Sequence, residues 1–308
     1  MINIDGVVPV LPVPFHKDES IDEKSLARLA EFTATHGAAA MCLPAYGSEF
    51  YKLTEAERER VIGIAIEANA GRIPVVTQAN HGSAGVAAQL AKRYASIGAD
   101  VISFAIPRMF ATTDADVLRF CGTICDAVDV PILIQDFNPG GPTIDAEFIE
   151  TLHRNHPNFS YAKLEEPLII DKLARIRDRV GDSVGILEGW GGFYMLEAIP
   201  LGICGLMPGV PLLEILDRVY RAKKAGEDAR AYDLYGSVLP FIAFTLQDFE
   251  IFLQVEKRLL VRRGLIAEHT LRGLTYSLSP ECEAHVDFLC TQVMRVFEQE
   301  KLEAQPAL

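Results

Sequence analysis

Eight short, β-branched, apolar runs alternate with longer helix-period segments through the first two thirds of this chain. They are VVPVLPVP (7–14), AAMCLP (39–44), IPVVTQA (73–79), DVISFAI (100–106), VPILIQD (130–136), FSYAKL (159–164), VGILEG (184–189) and ICGLMPG (203–209). Runs that are apolar almost throughout, rather than at every second position, are strands buried on both faces, and in a parallel sheet the crossover helices provide the cover. The intervening segments, such as DEKSLARLAEFTATHG and TEAERERVIGIAIEANAG, carry apolar residues at three-and-four spacing, a Ser, Thr or Asp near the start and Gly at the end. Eight such units predict an α/β fold, a (β/α)₈ TIM barrel over residues 1–226, with a doubly wound open sheet as the alternative.

After residue 227 the strand signal stops. Three helical stretches follow, roughly 228–240, 246–264 and 281–301, and predict a C-terminal helical extension over 227–308 packed on the barrel or on a neighbouring subunit. No low-complexity linker separates the two parts.

Composition narrows the chemistry. With 29 basic and 42 acidic residues the net charge is −13, which repels nucleic acid and anionic lipid surfaces and favours a small-molecule partner. The six cysteines lack CxxC spacing and most lie in apolar runs, as reduced thiols in a cytoplasmic protein do. An acidic N-terminus with no apolar stretch of about 18 residues predicts neither a signal peptide nor a membrane span.

In a barrel of this kind the reactive groups collect at the carboxyl ends of the strands and in the loops that follow. Lys163 is the one basic group at a strand end on that rim. Flanked by Phe159 and Tyr161 at alternating positions, it loses solvation, which disfavours the ammonium and leaves an amine able to attack a carbonyl carbon. The residues alone equally allow a rim salt bridge with Glu165 or Glu166. Gly47 and Ser48 in YGSEF (46–50) can present N–H groups to a carboxylate, and Gln135 and Asp136 in QDFNPGG (135–141) can hold a hydroxyl or a water. Other signals are weak: HGSAG (81–85) lacks the order of a nucleophile elbow and suits Ser83 as a helix N-cap. GWGG (189–192) lacks dinucleotide-loop spacing, and the pairs Cys121/Cys125 and His153/His156 have no converging partners for a metal.

With a lysine ending the sixth strand, the chain resembles the dihydrodipicolinate synthase and N-acetylneuraminate lyase superfamily of Schiff-base-forming barrels. GVVPVLPVPF resembles its opening strand, GSEFYKLTEAER the loop usually written GTTGE with its following helix, and YAKLEE the lysine strand. The resemblance makes Lys163 the expected imine-forming nucleophile. It also exposes departures. Gln135, followed by Asp136, replaces the proton-shuttling tyrosine of the Y-N-x-P motif; Tyr46 and Gly47 replace the paired threonines; and Gly140 or Gly141 stands where the synthase has an arginine.

The pair Ser48-Glu49, the pair Gln135-Asp136 and the run Glu188-Gly189-Trp190 are similar to the branch containing L-2-keto-3-deoxyarabonate dehydratase. That likeness implies a lyase acting on a 2-keto-3-deoxy sugar acid, with Lys163 catalytic and Tyr46, Gly47, Ser48, Gln135, Asp136, Gly189, Trp190 and Met207 around the substrate. It further implies no metal or organic cofactor and a homo-oligomer, dimer or tetramer. Dehydration is the expected outcome, because Gln135 cannot titrate. Retro-aldol release of pyruvate and a silent keto-acid-binding protein are the alternatives.

Overall fold

The computed structural model describes residues 2–109, 111–138, 141 and 143–302. Eight parallel strands alternate with helices: β1 (Gly6–Val7), α1 (Glu23–Thr35), β2 (Met41–Cys42), α2 (Glu55–Asn69), β3 (Val75–Gln78), α3 (Ala84–Ile97), β4 (Val101–Ala105), α4 (Asp114–Cys125), β5 (Ile132–Gln135), α5 (Ala146–Asn155), β6 (Phe159–Leu164), α6 (Ile169–Val180), β7 (Gly185–Glu188), the single turn α7 (Met195–Ala198), β8 (Gly205–Leu206) and α8 (Leu213–Lys224). From β2 to β8 each strand pairs with its sequence neighbour, and β8 pairs with β1. Val10 bridges both Cys42 and Gly209, and this closes the sheet into a (β/α)₈ barrel.

The regular strands are shorter than the apolar runs that announce them. In the first run Pro9, Pro12 and Pro14 have no N–H to give a ladder, so β1 spans two residues and the wall continues as single bonds such as Val10 N to Pro208 O at 2.8 Å. Helix starts follow the sequence signals closely. Thr54 and Glu57 form a reciprocal capping box on α2, and Thr113 and Asp116 do so on α4. Ser83 occupies the N-cap position of α3, but its side chain makes no capping bond.

The apolar residues divide into two bodies. One lies between the strands and the ring of helices; the other fills the lumen and includes Val8, Val76, Val101, Leu133, Tyr161 and Leu187. The register of β6 on β5 slips by one residue at Ser160, because Ile132 faces Phe159 while Leu133 faces Tyr161. Strict alternation from Phe159 to Lys163 therefore fails. Phe159 belongs to the helix-side core, whereas Tyr161 lies in the lumen and donates from its hydroxyl to Ile2 O at 2.6 Å. Only Tyr161 shares the face of Lys163.

The C-terminal helices α9 (Asp228–Thr245), α10 (Phe249–Arg262) and α11 (Pro280–Gln299) add their apolar faces to the helix-side core. Pro240 inside α9 does not end it. The α9–α10 turn swings back over the carboxyl ends of the strands, a position that amphipathic periodicity alone does not specify.

Candidate active site

A cavity of about 530 Å³ opens at the carboxyl end of the barrel. Its floor holds Lys163, Gln135 and Glu165; Tyr46, Gly47, Gly189, Trp190 and Met207 line its walls; and Thr245 to Phe249 with Phe252 form its roof. A wider, more open cleft of about 610 Å³ around Tyr51, Lys52 and Arg272 has no strand residue in its lining. The enclosed cavity is the better candidate because the convergent polar groups are there.

Lys163 is 6% exposed and its Nζ lies 2.9 Å from Glu165 Oε1. The salt bridge foreseen as a rim feature is thus part of the cavity floor. The second oxygen of Glu165 accepts from Gln135 Nε2 at 2.7 Å, and Gln135 is the in-register neighbour of Lys163 across β5 and β6. Glu166 turns away: it pairs with Lys172 and accepts from Thr143 Oγ1 at 3.1 Å. Glu165, in sequence only a candidate ion-pair partner for Lys163, is a central polar group of the cavity floor. Its signal was position, two residues beyond the lysine and just past the strand end, where the chain leaves the sheet and a side chain can fold back over the lumen.

Gly189 belongs to the site by what it lacks. A Cβ built there would stand 2.5 Å from both Lys163 Cε and Glu165 Cγ, so only glycine lets β7 pass beside this pair. The preceding residue, Glu188, is fully buried and organises the same loop by accepting from the N–H groups of Trp190 (3.0 Å), Gly192 (2.9 Å) and Tyr194 (3.3 Å). Burial pushes its carboxyl up to about 7, against those three bonds and the field of Lys163. Trp190 in turn stacks on Phe137 with ring centroids 5.8 Å apart.

The turn from Tyr46 to Ser48 is a single 3₁₀ loop. The N–H of Ser48 is taken by Ala45 O at 2.9 Å, and its Oγ donates to Leu11 O at 2.6 Å while accepting from Ala45 N at 3.0 Å. Ser48 therefore shapes the loop, while the N–H groups of Tyr46 and Gly47 make no hydrogen bond to described residues and are available to an anion. A Cβ on Gly47 would meet Val10 Cγ1 at 3.0 Å. Burial, reinforced by Glu165, raises the Tyr46 hydroxyl above its ordinary range.

Asp136 points the other way. It makes a bidentate ion pair with Arg108, at 2.8 and 2.5 Å, and accepts from Ile144 N at 2.6 Å, tying the loops after β4 and β5 together outside the cavity. Gly141 N donates to Asn138 O at 3.0 Å; Gly140, the other position matched to the synthase arginine, lies outside the described residues. Among the described residues no three His, Cys, Asp or Glu side chains converge as metal ligands, and no helix is long and apolar enough to cross a membrane.

Comparison with known proteins agrees with this architecture. Residues 3–292 match the model of the dihydrodipicolinate synthetase family. The chain is 27% identical over 285 residues to L-2-keto-3-deoxyarabonate dehydratase of Azospirillum brasilense, covering 91% of this chain and 92% of that protein. It is 30% identical over 186 residues to 4-hydroxy-tetrahydrodipicolinate synthase of Chlorobium luteolum, covering 60% of this chain and 62% of that one. The crystal structure of dihydrodipicolinate synthase from Rhodopseudomonas palustris superposes with a TM-score of 0.87 at 26% identity, over 94% of this chain and 97% of the other. The fold, the buried lysine at the end of the sixth strand and the match over residues 3–292 agree, and the chain belongs to the dihydrodipicolinate synthetase family, whose members are lyases.

Proposed function

We propose that the protein is a Schiff-base hydro-lyase that dehydrates a 2-keto-3-deoxy sugar acid. The observation that carries this reading is Glu165, held 2.9 Å from the Lys163 amine and 2.7 Å from Gln135. Where a tyrosine would shuttle protons, this site has an amide that cannot, and beside it a carboxylate that can. The 27% identity to the A. brasilense dehydratase supports the same reading.

The C1 carboxylate of the substrate docks on the Tyr46 and Gly47 amides. Lys163 gives its ammonium proton to solvent and attacks the C2 carbonyl; the carbinolamine oxygen takes a proton back from solvent, water leaves and an iminium forms. The iminium makes C3–H acidic, and Glu165 takes that proton to give the enamine. The enamine electrons then expel the C4 hydroxyl, which leaves as water with the proton from Glu165. The resulting conjugated iminium loses a proton from C5 and regains one at C3, which leaves a C4=C5 enol; the enol tautomerises to the C5 aldehyde, and hydrolysis of the imine frees the semialdehyde and Lys163. One carboxyl group thus moves one proton from C3 to the departing oxygen, and the sum of the reaction is loss of water.

Turnover of a panel of 2-keto-3-deoxy acids, read in parallel for pyruvate and for a semialdehyde, tests the proposal. Semialdehyde without pyruvate is expected. Pyruvate as the main product would make the protein an aldolase, and no product from any acid would make it a binding protein.

A further inference from the structure

The floor of the cavity is one end of a longer chain of side-chain amides. Ala105 N donates to Asn80 Oδ1 at 2.7 Å, and Asn80 Nδ2 donates to Gln78 Oε1 at 2.8 Å. Gln78 Nε2 donates to Gln135 Oε1 at 2.8 Å and, with its other hydrogen, approaches Ser103 Oγ at 3.4 Å. Gln135 Nε2 completes the run by donating to Glu165 Oε2 at 2.7 Å, and the other oxygen of Glu165 faces Lys163 Nζ at 2.9 Å. Asn80, Gln78 and Gln135 are all buried.

Each amide has one accepting and one donating end. A backbone N–H can only donate, so Ala105 fixes Asn80 with its oxygen toward β4. That choice sets Gln78, and Gln78 sets Gln135. Turning any one amide over would bring two donors or two acceptors face to face in a buried, low-dielectric place, where the mismatch is costly. The polarity therefore travels along three side chains and arrives at Glu165 as a donor.

We propose that Gln78 and Asn80 are positioning residues whose amide polarity, imposed by the Ala105 backbone N–H, makes Gln135 donate to Glu165 and so holds Glu165 as the carboxylate that removes the C3 proton. This rests on the Schiff-base reading and adds a residue-level account of how its base is kept ready. The charged and titratable groups that face Glu165 fit a carboxylate. Lys163 pairs with it, Tyr46 stays a neutral phenol, Glu166 accepts the N–H of Glu165 at 3.1 Å and is neutralised by Lys172, and Glu188 is occupied by the N–H groups of its own loop.

The test separates polarity from packing. Gln78→Glu is nearly isosteric but only accepts when ionised, so Gln135 must turn its nitrogen toward it and its oxygen toward Glu165. Gln78→Leu merely releases Gln135. Pyruvate is the probe: its condensation with Lys163 is read by borohydride trapping and intact mass, and proton removal at C3 by deuterium exchange of its methyl group in D₂O. Gln78→Glu is expected to slow exchange on the order of 100-fold, the scale of a lost general base, and Gln78→Leu by less than about tenfold, with trapping retained in both. If Gln78→Glu does not fold, Asn80→Asp against Asn80→Leu reverses or releases the chain from its other end. Exchange at the parental rate in the acidic variants, exchange lower in the leucine than in the acidic variant, or a parallel fall of trapping and exchange would each overturn the inference. Absence of trapping in the unsubstituted protein would remove the Schiff-base reading, and this inference with it.

Discussion

Glu49 and Lys257 form an ion pair of 2.6 Å in which both side chains are fully buried. Glu49 stands with φ of 57° at the end of the Tyr46–Ser48 turn, and Lys257 lies on α10. The pair clamps the loop with the free amides to the C-terminal helices, and the N–H of Arg272 and the ammonium of Lys52 add to it at 3.3 and 3.1 Å. Breaking one partner of such a pair leaves a buried charge, a cost of about 3–5 kcal/mol. Lys257→Met should therefore lower stability by that order in chemical denaturation and raise KM more than it lowers kcat, because the proposed function gives this loop the substrate carboxylate and no part in the reaction. The double variant Glu49→Gln/Lys257→Met should recover much of the stability. A single variant as stable as the parent would show that the clamp is not needed.

Glu165→Gln keeps the shape and the bond to Gln135 but removes the proton acceptor. It should lower kcat by roughly 10²–10⁴-fold while borohydride still traps substrate on Lys163. A variant that turns over normally would transfer the base role elsewhere in the cavity.

Gly189→Ala places a methyl 2.5 Å from Lys163 Cε and Glu165 Cγ. Neither side chain can retreat without breaking the pair, so the expected cost is about 1–3 kcal/mol of stability together with loss of trapping. Gly63→Ala, whose Cβ would meet nothing within 4 Å, serves as the control and should be at least as stable as the parent.

Glu256 is buried on α10, and among the described residues its Oε2 has no hydrogen-bond partner; burial pushes its carboxyl up to about 8 from an ordinary 4.5. Gly209 leaves it room, since a Cβ there would come within bonding distance of Oε2. An acid whose folded pKa is raised keeps its proton in the folded state while the unfolded chain has lost it, so its contribution to stability is full below pH 4.5 and is lost as pH rises toward 8. Glu256→Gln cannot titrate. Unfolding free energies measured from pH 5 to 8 should show the parent losing stability relative to this variant across that window; parallel curves would contradict the burial argument.

The barrel was legible because eight buried strands and their covering helices leave a periodic trace in any chain, and Lys163 because a cation is conspicuous at the end of an apolar strand. The place of Glu165 over the lumen was not, because an acidic residue beyond a strand end looks the same in sequence whether it folds over the lumen or turns outward to pair with a helix, as Glu166 does with Lys172. The alternation argument failed at Phe159 because a one-residue bulge at Ser160 changes which face a side chain takes without changing composition. Asp136 read as a rim residue beside Gln135, yet the bidentate pair with Arg108 turned it outward. The α9–α10 roof was hidden for a similar reason: periodicity tells which face of a helix is apolar, not what it covers.

Everything proposed for this site turns on an imine at Lys163. Incubation with a 2-keto acid and sodium borohydride, followed by peptide mass mapping, should place a stable adduct on Lys163, and Lys163→Ala should give no adduct and no turnover. An unmodified Lys163, or an active Lys163→Ala variant, would contradict the account.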